Sequence, residues 1–152
     1  MRIFSTYEIE KNNENEFFAP ELAKLAFAYS TAKMPKVTVI IGHAIGSSFV
    51  LLGSKALGAD LVYAVNDAEI GALSAESGVA FSWNDHITLE ETRDSLVSSW
   101  KASVASPAVA AASGEIDDII SINELRARIC SALLMLVSKG SVKITDRKVL
   151  PL

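Results

Sequence analysis

Val37-Thr38-Val39-Ile40-Ile41 runs without interruption into Gly42-His43-Ala44-Ile45-Gly46-Ser47-Ser48. A short run of β-branched residues with no polar alternation has the signature of a strand buried on both faces, and such strands belong to sheets covered by helices. The glycines that follow permit a sharp turn. Gly46, Ser47 and Ser48 then open a predicted helix from Ser47 to Lys55, where the first backbone N–H groups have no intrahelical acceptor. Amides at the positive end of a helix favour an anion, and small side chains let a carbonyl oxygen reach them. The stretch predicts an oxyanion-stabilising turn. The plain structural alternative is a tight connection that packs the helix on the sheet.

Upstream, Leu22, Leu25, Ala26 and Tyr29 recur at helical spacing behind Pro20, predicting a helix to about Lys33 that Met34-Pro35 stops. Met1 to Phe4 reads as a short strand cut off by the polar run Lys11 to Glu16, so residues 1–18 form a loosely attached segment and residues 19–152 the domain. Downstream, Gly58 closes the helix after the turn, Asp60 to Val65 and Ala68 to Leu73 read as strands, and Ala75-Glu76-Ser77-Gly78 as a helical start. Thr88-Leu89-Glu90-Glu91 has the form of a capping box, with Thr88 as N-cap of a helix to about Val104. Pro107 to Ala112 gives a short helix and Ile116 to Ile120 a brief strand. Leu125, Ile129, Leu133 and Leu136 mark a long last helix up to Gly140. The order βαββααβα is α/β, a layered sheet flanked by helices.

A chain of 152 residues suits one domain. Half of it is hydrophobic and its mean hydropathy is +0.31, so self-association or a partner subunit is expected to cover apolar surface. A net charge of −4, a pI near 5.2 and no basic cluster denser than Arg126 and Arg128 argue against nucleic acid and favour a small-molecule or protein partner. No apolar run approaches the roughly 20 residues that cross a bilayer. The N-terminal stretch lacks the apolar core of a secretory signal, which points to the cytoplasm. Cys130 is the sole cysteine, so an intramolecular disulfide and a Cys-rich zinc site are excluded, and its helical context predicts an inert core thiol.

His43 lies in the turn and His86 in the polar stretch Asn84-Asp85-His86; neither has metal-ligand spacing to other donors, so both read as structural or solvent-facing. Asp117-Asp118 and Glu90-Glu91 are neighbours that point apart and read as solvated. Glu69 and Glu76 stand near a strand end and a helix start, where helix capping or an ion pair outweighs acid–base duty. Trp83 and Trp100 read as core or interface anchors. Phosphate-loop and dinucleotide fingerprints are missing. Gly42-x-Ala44-x-Gly46 has the spacing of a nucleophile elbow with alanine in the serine's place, so a serine hydrolase would have to use Ser47 or Ser48 with His43 or His86 as base.

Glu21-Leu22-Ala23-Lys24-Leu25-Ala26, Pro35 to Ile40, Ser54-Lys55-Ala56-Leu57-Gly58-Ala59-Asp60-Leu61-Val62-Tyr63-Ala64, Ala68-Glu69-Ile70, Ala75-Glu76, Pro107 to Ala112, Gly114-Glu115-Ile116-Asp117 and Leu150-Pro151-Leu152 follow in one order. In that order and around the turn, the sequence resembles the carboxyltransferase family of biotin-dependent acyl-CoA carboxylases and sodium-pumping decarboxylases. The likeness is to the C-terminal, crotonase-like half of the propionyl-CoA carboxylase β type. The resemblance implies a ClpP/crotonase-like layered sheet in a single truncated domain. It implies that the backbone amides of Ser47 and Ser48 stabilise the carbonyl of carboxybiotin, with Gly42, Ala44, Ile45, Gly46 and Glu76 around the biotin. That biotin is attached to a biotin carboxyl carrier protein and not to this chain. An acyl-CoA-binding half or subunit supplies the acyl-CoA in a second oxyanion hole.

The family's turn usually reads Gly-Lys-Ala-Tyr-Gly-Gly-Ala-Tyr; here His43, Ile45, Ser47, Ser48 and Phe49 replace Lys, Tyr, the second Gly, Ala and the last Tyr. Two readings follow. In one the chain is a carboxyltransferase subunit, inactive alone, that acts with a separate half. In the other it is a diverged, non-catalytic assembly module that keeps the fold and interface.

Overall fold

A computed structural model of the protein describes residues 2–4, 18–84 and 92–141. In chain order its elements are β1 (Arg2–Phe4), α1 (Phe18–Thr31), β2 (Val37–Ile40), β3 (His43–Ile45), α2 (Ser47–Leu51), β4 (Leu61–Val65), β5 (Glu69–Gly71), α3 (Ala75–Ser82), α4 (Arg93–Ser103), α5 (Pro107–Ala112), β6 (Asp118–Ile120) and α6 (Leu125–Met135). The β-branched run forms β2, which is buried as its pattern predicts. It sits inside a parallel sheet of order β1-β2-β4-β6. Parallel neighbours need crossovers, and the intervening segments supply them on both faces. The segment at the N-terminus, read as loosely attached, is instead tied in: Arg2, Ile3 and Phe4 pair with Thr38, Val39 and Ile40.

Alternate residues of the sheet serve opposite faces. Val39, Tyr63 and Ile120 turn toward α6 and pack around Ala132 with Leu125 and Ile129. Ile40, Val62 and Ala64 turn the other way and join Ala44, Ala68, Ile70, Ala110 and Ile116. A third cluster of Ala75, Val79, Leu96, Trp100 and Ala105 locks α3 against α4. Trp83 and Trp100 meet there edge to face, their ring centroids 4.9 Å apart. They are the anchors that their size implied.

Several boundaries differ from the sequence reading. The helix after the turn ends at Leu51 and is followed by a separate 3-10 turn at Lys55–Leu57. The helix expected from Thr88 begins at Arg93, and Thr92 caps it by accepting the Ser95 amide. The box Thr88 to Glu91 itself lies outside the described residues, as does His86. Asp117 and Asp118 do point apart, yet they are engaged. Asp117 accepts from the Val62 amide at 2.8 Å and from Lys55 at 2.6 Å, and Asp118 pairs with Arg128 at 3.3 Å. Cys130 is exposed, not buried, because only Ala132 of α6 is fully covered. Among the described residues no helix is long and apolar enough to cross a membrane.

Two consequences are measurable. A Cβ on Gly78 would overlap the Trp100 indole. Gly78→Ala therefore lowers the free energy of unfolding by about 1–3 kcal/mol in urea denaturation, opposite to the gain of up to about 1 kcal/mol usual for a helical glycine; a stabilised variant would refute this packing. Burial pushes the Tyr63 phenol above its ordinary value of 10.0, with Arg128 opposing and Asp117 and Asp118 reinforcing. A phenol harder to ionise when folded leaves stability intact below that value and withdraws it as pH rises through the folded one. Tyr63→Phe should flatten the loss of stability above pH 10, read from unfolding midpoints across an alkaline series.

Candidate functional site

The stretch read as one seven-residue turn is two bends with a strand between them. Gly42, at φ 78°, lets the chain leave the main sheet. His43-Ala44-Ile45 then forms β3, paired in parallel with β5 as a second, two-stranded sheet. Gly46, at φ 62° and ψ −134°, makes the next bend and caps α2. Both φ values lie where L side chains are strained, which is why glycine stands at both. Ala44 is buried in the core and Ile45 is half-buried.

Gly46 donates its own amide to the Gly71 carbonyl at 2.8 Å, so it is not a free donor. The Val50 amide returns to the Gly46 carbonyl at 3.4 Å. Ser47, Ser48 and Phe49 thus come ahead of the first intrahelical bond, where helical geometry offers their N–H groups no acceptor. Because α2 has only five residues, the fixed amides matter more than a helix macrodipole. Ser48 donates its hydroxyl to the Ile45 carbonyl at 2.6 Å, while Ser47 is exposed. Among the described residues no serine hydroxyl bonds to His43, so the structure brings together no serine–histidine pair.

The register places His43 directly opposite Glu69. Their side chains meet, Nδ1 of His43 lying 3.0 Å from Oε2 of Glu69. Lys101 of α4 reaches the same oxygen at 3.4 Å. The other oxygen, Oε1, accepts the Ala75 amide at the first turn of α3, at 3.2 Å. Glu69 is only 8% exposed, against 46% for His43 and 45% for Lys101. A buried carboxylate is stable only when paired, and this one has three partners. Capping and an ion pair were the expected roles of Glu69; its convergence with His43 and Lys101 was not, and nothing in the sequence signals the part of Lys101. Glu76 lies exposed in the first turn of α3. A cavity of about 20 Å³ under the turn, lined by His43, Ala44, Ser48 and Phe49 among others, has room for about one water. A larger one of about 340 Å³ lies between α1 and the start of β2.

A family profile for the carboxyl transferase domain matches residues 11–150. The chain belongs to this family. It is 40% identical over 121 residues to a putative propionyl-CoA carboxylase beta chain of Bacillus subtilis, covering 77% of this chain and 24% of that protein. It is 36% identical over 125 residues to the methylmalonyl-CoA carboxyltransferase 12S subunit of Propionibacterium freudenreichii subsp. shermanii, covering 80% and 24%. The chain thus spans about a quarter of the length of these curated relatives. A transcarboxylase 12S structure with hydrolysed methylmalonyl-coenzyme A superposes with a TM-score of 0.83 at 29% identity, over 96% of this chain and 29% of that one. The beta subunit of geranyl-CoA carboxylase from P. aeruginosa, at 13% identity and a TM-score of 0.69 over 93% of this chain and 32% of that one, shares the fold. The fold is that of the crotonase-like carboxyltransferases, as the resemblance implied.

The carboxyl transferase turn depends on Gly46. A Cβ there would be held at φ 62° and pressed to 3.4 Å from the Ala72 carbonyl. Gly46→Ala should cost about 1–3 kcal/mol in unfolding free energy, measured by urea denaturation; an unchanged midpoint would show that this backbone is not as tightly held.

Proposed function

We propose that this carboxyl transferase domain is a C-half subunit that stabilises the carbonyl of carboxybiotin with the backbone amides of Ser47 and Ser48, while a separate acyl-CoA-binding half presents the acyl acceptor. The observation that carries the reading is the bend at Gly46, which sets those two amides ahead of the first intrahelical bond of α2. The residues fit a cyclic urea. Gly46 has no side chain, Ala44 is folded into the core, and the Ser48 hydroxyl proton is directed at the Ile45 carbonyl. Gly42 and Ile45 frame the strand that delivers the turn, and Glu76 borders it from α3. Biotin, carried by a biotin carboxyl carrier protein, supplies the carboxyl group. The chain's own contribution is to orient that group and neutralise charge as it develops on the carbonyl oxygen, which requires no dedicated base.

A partner half is supported by the surface. Leu134, Met135 and Val137, at 74%, 65% and 78% exposure, leave the end of α6 and the residues after it apolar and uncovered. Exposed patches of this kind mark interfaces. In this reading residues 19–152 form the domain, and it works in a cytoplasmic oligomer.

The test mixes the full chain, a biotinylated carrier protein, an acyl-CoA-binding half and a panel of acyl-CoAs. Carboxyl transfer is expected only when all are present. Ser47→Pro removes one N–H at a helical position that tolerates proline, and is expected to lower kcat by about 100- to 1,000-fold with the fold intact. No transfer with a partner half that is active with another C-half would overturn the reading in favour of an assembly module. Activity unaffected by Ser47→Pro would remove the amides from the site.

A further inference from the structure

We propose that His43 and Lys101, positioned together by Glu69, form a binding site for a carboxylate that sits next to a carbonyl group. The carboxylate is the one in transfer, so the proposal rests on the function proposed above and adds residues and charge to it. Both cations lie on a single oxygen of Glu69, at 3.0 Å and 3.4 Å. Their nitrogens therefore cannot be further apart than these two contacts laid end to end, a span that one carboxylate bridges. Glu69 is buried while each cation is nearly half exposed, so the pair is held from below and open to solvent above.

The protonation pattern supplies the selectivity. An ionised carboxylate only accepts hydrogen bonds, so Nδ1 of His43 carries the proton toward Glu69. Nε2 then has no partner among the described residues. With the ring neutral, Lys101 and Glu69 cancel and Nε2 is an acceptor. With the ring protonated, the cluster carries one net positive charge and Nε2 becomes a donor, as a carboxylate requires. The groups packed around His43 are few. β5 brings Glu69, α4 brings Lys101, α2 brings only Ser47, Ser48 and apolar residues, and α3 carries Glu76 in its first turn. Binding of a carboxylate should thus tighten as pH falls and His43 takes up its proton. His43 is the residue that begins β3, the strand running directly into Gly46, so the charge is built on the segment that carries the turn.

Such a carboxylate has two sources, a carboxylated cyclic urea or a malonyl-type thioester. Two stable probes separate them: 2-oxoimidazolidine-1-acetate and monomethyl malonate, with 2-imidazolidone and dimethyl malonate as neutral counterparts. Each is titrated into the full chain and followed by the ring signals of His43 and the amide signals of Ser47 and Ser48, with His86 as internal reference. At least one charged probe should shift the His43 signals, raise its titration midpoint and bind at least tenfold more tightly at low pH than at high pH. Neutral probes should leave the His43 midpoint in place. Lys101→Met should weaken the charged probe about tenfold and Lys101→Arg should restore it, while His43→Gln should abolish the pH dependence. Because Glu69 also caps α3, Glu69→Gln is read only after its unfolding midpoint is known.

If neither charged probe moves His43, the inference is overturned. The 2-imidazolidone arm then decides the fate of the function proposed above: shifts at Ser47 and Ser48 would sustain it, and silence there would remove both. Binding that is independent of pH, or unaltered by Lys101→Met, would also overturn the cation-pair site.

Discussion

The amide of Glu69 donates to the carbonyl of Gly42 at 2.8 Å, and most of the site hangs on this bond. It joins the two chain segments at the point where both leave the main sheet. β2 and β4 run side by side as Val37 to Ile40 against Leu61 to Ala64. Beyond the Gly42 bend and the Asn66-Asp67 turn they continue side by side as β3 and β5, in the second sheet. One parallel pairing is thereby carried through a corner. Gly46 then donates to Gly71 and extends the same ladder to the start of α2. The positions of Ser47 and Ser48 are set by backbone hydrogen bonds and two glycine conformations, not by side-chain packing. A site of this kind tolerates changes of side chain, since its donors belong to the main chain. That is the physical sense in which His43, Ile45, Ser47, Ser48 and Phe49 can stand where the family's turn carries other residues.

The same pairing explains what was legible in the sequence. The run Val37 to Ile41 announced a buried strand because burial on both faces removes alternation. Its neighbours in the sheet were legible for related reasons, and the glycines marked the turn. β3 was not legible. Three residues between two glycines carry no period, and only the distant β5 makes them a strand. The His43–Glu69 pair was hidden for the same reason, because it follows from register between segments 26 residues apart. The start of α4 was misplaced because Thr88 has glutamate three residues on, whereas Thr92, which does cap the helix, has only Ser95. Cys130 was read as buried from an apolar helical pattern, and the pattern is real. It is the covering that the described residues lack.

Glu69 illustrates how a charge is kept in a core. Moving a carboxylate out of water is unfavourable by several kcal/mol unless its lone pairs are satisfied, and a hydrophobic residue of similar size would often serve stability as well. Glu69 meets the condition through partners from three elements: His43 on β3, the Ala75 amide on α3 and Lys101 on α4. These elements belong to different parts of the chain and otherwise touch through apolar surface. The carboxylate thus sets their relative positions with a directionality that apolar packing does not provide. Its energetic weight is best understood as alignment of β3 against the α3–α4 layer.

The apolar end of α6 stands in a different relation to stability. Tyr63, Val39 and Ile120 cover one side of the helix, but Leu133, Leu134 and Met135 remain open to solvent. Apolar surface buried only on assembly stabilises the assembled state and not the lone chain, by an amount that grows with partner concentration. The site is differently placed. Its backbone ladder, its two glycine bends and the Glu69 cluster are all complete within the one chain. Geometry at the turn therefore does not wait for a partner, whereas the stability of the helix layer behind the sheet gains from one. This division lets a domain a quarter of its relatives' length keep a formed turn while leaving the rest of the reaction to another surface.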